Sequence, residues 1–83
     1  MSFIFQLHPD ATAWCVRLGD IELARLATFE AAERRARWLT ARQAVSGHAS
    51  ELHVFDGDGQ LVGRWVDELY LACSTPRPIL AAA

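Results

Sequence analysis

The sequence predicts an α+β domain: an antiparallel sheet of four to five strands with one main α-helix packed on one face, in the order β-β-β-α-β-β. Three observations carry this. Apolar residues recur at period two in short segments up to Leu26. The period then changes to a helical one between Glu30 and Ser46. Beyond it, two β-rich runs close around Asp56-Gly57-Asp58-Gly59. Successive hairpins imply antiparallel neighbours, and a single helix covers only one face of the sheet they build. The other face is then either solvated or covered by a second copy of the chain.

The first segment, Phe3-Ile4-Phe5-Gln6-Leu7, puts Phe3, Phe5 and Leu7 on one face, and Pro9-Asp10 follows as a turn signal. In the next, Trp14, Val16 and Leu18 alternate with Cys15 and Arg17. Gly19-Asp20 supplies a two-residue hairpin loop, and Ile21 to Leu26 resumes the alternation. Glu30 to about Ser46 contains neither Gly nor Pro and is rich in Ala, Arg and Glu. Thr28 is its expected N-cap, Glu30 and Glu33 suit the positive end of the helix dipole, and Gly47 stands just past its end. At 100° per residue, Ala32, Ala36, Leu39 and Gln43 share one face, small enough to let the helix sit close on a sheet. Glu51 to Phe55 and Leu61 to Val66 form the last hairpin. Asp67 to Cys73 is open between a strand and a short helical turn. The helical spacing of Leu69, Tyr70 and Cys73 favours the turn.

The chain has 83 residues, enough for one core. Residues 1–73 are expected to form a single domain. The stretch Ser74 to Ala83, with Pro76 and Pro78 and an alanine end, is expected as a flexible C-terminal tail. At 52% hydrophobic and 22% charged, the composition fits neither a disordered chain nor a membrane-embedded one. No apolar run approaches the roughly 20 residues that span a bilayer, and no basic stretch precedes the first apolar residues. A cytoplasmic domain with no membrane partner is the expectation.

All eight basic residues are arginines, against ten acids, for a formal net charge of -2. Without lysine, Schiff-base chemistry at a side chain and a lysine-bearing phosphate loop are excluded. Without asparagine there is no N-linked sugar. The mild acidity speaks against a general nucleic-acid binder, though not against a local basic patch. Cys15 and Cys73 are far apart and in no CxxC spacing, so two reduced, largely buried thiols are expected.

Two stretches resemble a family of small bacterial proteins known as a domain of unknown function. Trp14-Cys15-Val16-Arg17 is similar to that family's Trp-x-Val strand. Glu51-Leu52-His53-Val54-Phe55 with Asp56-Gly57-Asp58-Gly59-Gln60-Leu61 is similar to its closing Glu-Leu-x-Val, Asp-Gly, Ile/Leu hairpin. Thr28-Phe29-Glu30 before an Ala/Arg helix matches its Phe-then-helix layout. The resemblance spans Trp14 to Leu61, and it departs in the helix, where Glu30-Ala31 is followed by Arg35-Ala36 rather than by an Ala one turn on. It implies a fold and supplies no activity.

Constellations that carry chemistry are sparse. Asp56-Gly57-Asp58-Gly59 begins like a calcium loop. Counted from Asp56, however, Gln60 and Leu61 stand where Asp/Asn and Gly are needed, and Asp67 where a bidentate Glu is needed. A hairpin turn is the better reading. His8, His48 and His53 show no zinc-site spacing with each other or with the cysteines. For nucleophilic catalysis, Cys15 or Ser50 lacks a nucleophile elbow or a Gly-rich oxyanion loop. No metal, cofactor or catalytic residue is therefore expected, and an enzyme built on Cys15 and a nearby histidine is the weakest of three readings.

The helix has the one feature with direction. Glu30 to Ser46 holds Arg34, Arg35, Arg37 and Arg42 against two acids, a local +2 that leaves -4 on the rest of the chain. Trp38 lies 100° round the helix from Leu39, at the edge of the core. Trp and Arg are enriched at protein interfaces. They also stack bases and bind phosphate, or simply cap a core and cover apolar surface with their stems. The sequence thus points to a small non-enzymatic interaction domain that associates with itself or a protein partner through Trp38, Arg34, Arg35 and Arg42. A nucleic-acid-binding module using the same surface is the alternative.

Overall fold

The computed structural model describes residues 2–73; the expected tail, Ser74 to Ala83, lies outside the described residues. Six strands and one helix follow one another as β1 (Ser2–Asp10), β2 (Ala13–Leu18), β3 (Ile21–Leu26), α1 (Phe29–Val45), β4 (Ala49–Phe55), β5 (Leu61–Val66) and β6 (Leu69–Ala72). They build one sheet in the order β3-β2-β1-β4-β5-β6, and α1 lies across β3, β2, β1 and β4 on one face. The α+β class with one helix stands. Two details of the expectation are corrected: the sheet has six strands rather than four or five, and it is mixed rather than wholly antiparallel.

The mixed sheet follows from chain direction. Two hairpins leave β3 running the same way as β1, and the 17-residue helix then carries the chain back to the starting end. β4 must therefore leave in the direction of β1. It takes the free edge of β1 in a parallel register, Phe5 beside Leu52 and Leu7 beside Val54. The two halves of the chain, each a three-stranded meander, meet along this central parallel pair.

The helical turn favoured for residues 67–73 is a third correction. Asp67 and Glu68 both have positive φ, 51° and 66°, and Val66 pairs with Leu69 across them. This is the geometry of a two-residue type I′ hairpin loop, whose twist matches that of the strands. Asp-Glu lacks the glycine that usually announces such a loop, and the helical spacing beyond it is fortuitous. Tyr70 pairs with Trp65, and its ring lies over Gly63, where a Cβ would run into the phenol. Glycine in the middle of β5 is thus required by a close approach.

One further boundary moved. β1 continues through Pro9 to Asp10 and turns at Ala11-Thr12 instead. Pairing of β1 with β4 ends at Leu7, so no ladder on that side needs the missing proline N–H. Gly19 has a φ of 63° in the β2–β3 loop, as its hairpin position requires. In the β4–β5 loop the Asp56 carboxylate accepts from the backbone N–H groups of Asp58 and Gln60, at 2.9 and 3.0 Å. Asp56 holds its own turn.

The helix ends as its sequence requires. Thr28 Oγ1 accepts from the Ala31 amide at 3.1 Å. At the other end the Gly47 amide donates to Ala44 and the His48 amide to Gln43, the double bond of a Schellman cap with Gly47 left-handed. The core consists of Phe5, Leu7, Val16, Leu52 and Val54 from the sheet against Ala32 and Ala36. Burying each of the large side chains contributes about 1.5–3 kcal/mol. Trp14 and Phe29 close one end edge to face, 5.0 Å apart.

Candidate functional site

Because α1 covers only four of the six strands, a groove of about 760 Å³ opens between the helix and the β5–β6 hairpin. Its floor is the indole of Trp65. Two residues one helical turn apart hold that ring: Glu33 Oε2 accepts from Trp65 Nε1 at 3.1 Å, and the Arg37 guanidinium lies 3.9 Å above the ring centroid. Tyr70 packs on its outer side at 5.2 Å. The upper wall is Trp38, 54% exposed, with the Arg42 guanidinium 4.9 Å from its ring. Asp67 and Glu68 of the last turn and His48 and Ser50 also line it, all at the same end of the sheet, since Val66 pairs with Glu51. His48 meets Phe3 edge to face, and Ser50 donates to the Thr40 carbonyl at 2.9 Å.

Of the four residues singled out in the sequence, Trp38 and Arg34 line this groove. Arg42 reaches it only through its stacking on Trp38. Arg35, 100° further round the helix from Arg34, is exposed on another flank and takes no part in the lining. Sequence reasoning missed Trp65, Tyr70, Glu33 and Arg37. An exposed Trp beside arginines was legible. That a second Trp, Trp65, from a strand 27 residues further along completes the surface depends on the sheet order.

The charge of the groove differs from that of the helix alone. Arg34 and Arg37 face the carboxylates of Glu30, Glu33, Asp67 and Glu68, so two cations stand among four anions. The surplus of arginine counted along the helix is outweighed once the β5–β6 turn is placed beside it.

The open face of the sheet has a second polar group. Arg25 bridges Asp10 Oδ2 at 2.8 Å and Glu22 Oε1 at 2.9 Å. The guanidinium holds both carboxyls below their usual range, chiefly by hydrogen bonding. Beneath them lies Cys15, whose thiol donates to Glu22 Oε1 at 3.5 Å and Asp10 Oδ2 at 3.8 Å. Burial, then the bond to Glu22, pushes this thiol up. His8 faces Cys15 across the strands. A buried, protonated thiol between two carboxylates is the opposite of an activated nucleophile.

Both cysteines are free thiols, Cys15 buried and Cys73 partly so. The third histidine, His53, donates from Nε2 to Glu51 Oε1 at 2.9 Å. Among the described residues no group of three His, Cys, Asp or Glu side chains is placed to hold a metal ion, and no helix is long and apolar enough to cross a membrane.

The open face is not uniformly polar. Towards β5 and β6 it turns apolar, with Val62, Leu69 and Leu71 exposed together, and Ile4 exposed in β1. Leu69 is 61% exposed. The Arg25 ion pairs lie towards β3, Glu51 with His53 and Arg64 at 2.9 and 3.8 Å forms a second group on β4 and β5, and the leucines stand beside that group at the outer strand. No family model, curated protein or solved structure matches this chain, and the site is therefore read from its own residues alone.

Proposed function

We propose that the chain is a non-enzymatic interaction domain that docks another protein chain along its β5–β6 side. The observation that carries this reading is the uncovered surface on that side, which joins two exposed aromatic rings to exposed leucines, whereas the β3 edge exposes only the aliphatic Ile21 and Leu23. Trp38 lines the groove, Tyr70 packs against the Trp65 indole, and Leu69 and Leu71 lie on the opposite face of the strand that carries Tyr70. Aromatic residues and arginine with few lysines make the composition of a protein-binding surface. The groove's carboxylates disfavour the nucleic-acid reading, because a phosphate backbone approaching Trp38 also approaches Asp67 and Glu68.

Site-specific photo-crosslinking in cells tests this. A benzophenone side chain at Tyr70 or Trp38 is expected to yield one recurrent protein adduct, and the same group at Leu23 on the opposite edge is expected to yield none. Adducts to nucleic acid at Trp38, or no adduct at either position, would overturn the reading.

A further inference from the structure

β6 ends the sheet, and its outer edge has no partner among the described residues. The groups it presents follow from its pairing with β5. The Cys73 amide donates to the Val62 carbonyl, and the same register pairs Gly63 with Ala72, Arg64 with Leu71, Trp65 with Tyr70 and Val66 with Leu69. Antiparallel pairs alternate between those that exchange hydrogen bonds and those that do not. Leu69 and Leu71 thus spend their N–H and C=O groups on β5, while those of Tyr70 and Ala72 point outward.

The two edges of the sheet are not alike. Natural edges are blunted by charges, prolines or bulges. β3 carries Glu22 and Arg25, tied to Asp10, and a register shift interrupts its pairing with β2. β6 reads Leu69-Tyr70-Leu71-Ala72, with no charge, no proline and no break in its register. Among the described residues the β3 edge carries an ion pair and a register shift beside its exposed Ile21 and Leu23, and the β6 edge carries neither device.

Resting on the partner-binding reading above, we infer that the β6 edge receives β6 of a second copy, antiparallel about a two-fold axis at Tyr70. Opposed residues of an antiparallel pair share a face, and a two-fold axis normal to the sheet keeps the same face up in both copies. Self-pairing can then centre only on a residue, never between two. Centred on Tyr70, the outward groups of the two Tyr70 residues meet each other, and the Ala72 N–H comes opposite the carbonyl of Glu68, the last residue of the turn. Leu69 falls opposite Leu71 of the second copy in a close, non-hydrogen-bonded pair, which covers the leucines exposed on the open face. Centring on Leu71 instead would leave Leu69 opposite Cys73. The acidic turns Asp67-Glu68 lie at opposite ends of the pair, so like charges stay apart. Both helices fall on the same side, and their two grooves flank the axis.

Light scattering on the purified full chain over a wide concentration range tests the pairing. The expected mass is twice the 9.2 kDa of one chain. Leu71→Lys adds an edge charge, and Ala72→Pro removes an outward N–H that β5 does not use. Each should return the mass to that of a single chain with the circular dichroism of the sheet intact, and either suffices if the other misfolds. Leu23→Lys on the β3 edge should leave the doubled mass. In a Cys73→Ser background, Tyr70→Cys should form an intermolecular disulfide under mild oxidation. A single-chain mass at every concentration, or a dimer indifferent to Leu71→Lys and Ala72→Pro, overturns the pairing. Such a monomer that still gives a Tyr70 photo-adduct to a different protein overturns only the second copy; loss of the adduct as well overturns the partner-binding reading.

Discussion

Trp65 links the helix to the one hairpin that the helix does not cover, and its replacement tests whether the groove is a built surface. Trp65→Phe removes the Nε1–H that donates to Glu33 at 3.1 Å and weakens the cation–π contact with Arg37 at 3.9 Å, while leaving an aromatic ring beside Tyr70. A hydrogen bond to a charged acceptor contributes about 1.5–3 kcal/mol net. Trp65 is only half-buried, which places this bond at the lower end. The loss of cation–π attraction adds about 0.5 kcal/mol, since phenyl retains part of it. The expected destabilisation is about 2 kcal/mol, a large share of the ~5–15 kcal/mol typical of a domain.

Urea unfolding followed by far-UV circular dichroism, which does not depend on the lost indole, measures it directly. With a slope of about 1 kcal/mol per molar urea, the midpoint should fall by about 2 M at unchanged slope. Glu33→Ala should cost less by itself, and the double variant should be less damaging than the sum by about 1 kcal/mol. A Trp65→Phe loss below about 0.5 kcal/mol, or strict additivity with Glu33→Ala, would refute the clamp and leave the groove as a gap between loosely related elements.

Two other outcomes bear on the same structure. Gly63→Ala should destabilise the β5–β6 hairpin by about 1–3 kcal/mol, because the new methyl displaces the Tyr70 ring; the penalty should shrink in a Tyr70→Ala background, and an equal penalty in both would show that the ring is not the cause. Asp10 and Glu22 have carboxyls lowered by Arg25, so their contribution to stability is present above the unfolded-state values near pH 4 and lost as pH falls through the lower folded-state ones. Melting temperature should therefore fall less steeply on acidification in Arg25→Met than in the wild type. Parallel curves would remove the linkage.

Local chemistry alone determined most of the elements. Thr28, Gly47, Gly19 and the Asp56-Gly57 turn act through a few neighbouring backbone groups, so their consequences could be read without knowing the rest of the chain. The faces of the central strands were equally legible, because side-chain alternation is intrinsic to a strand. Phe5, Leu7, Val16, Leu52 and Val54 are all buried as their period implied. Where local cues misled, the backbone adopted a form its residues do not advertise: Asp67 and Glu68 at positive φ turned an apparent helical spacing into β6.

Tertiary structure alone decided what these elements make together. The parallel pairing of β1 with β4 results from the helix returning the chain to its starting end, a long-range constraint with no residue signature of its own. That pairing sets β5 and β6 beside α1 rather than beneath it. It thereby opens the groove, brings Trp65 under Glu33 and Arg37, and sets Asp67 and Glu68 against the arginines that dominate the helix in the linear sequence. Trp38 announced an exposed aromatic. Its neighbours across the groove were chosen by sheet order, because residues distant in sequence share a surface only once the strands between them have been placed.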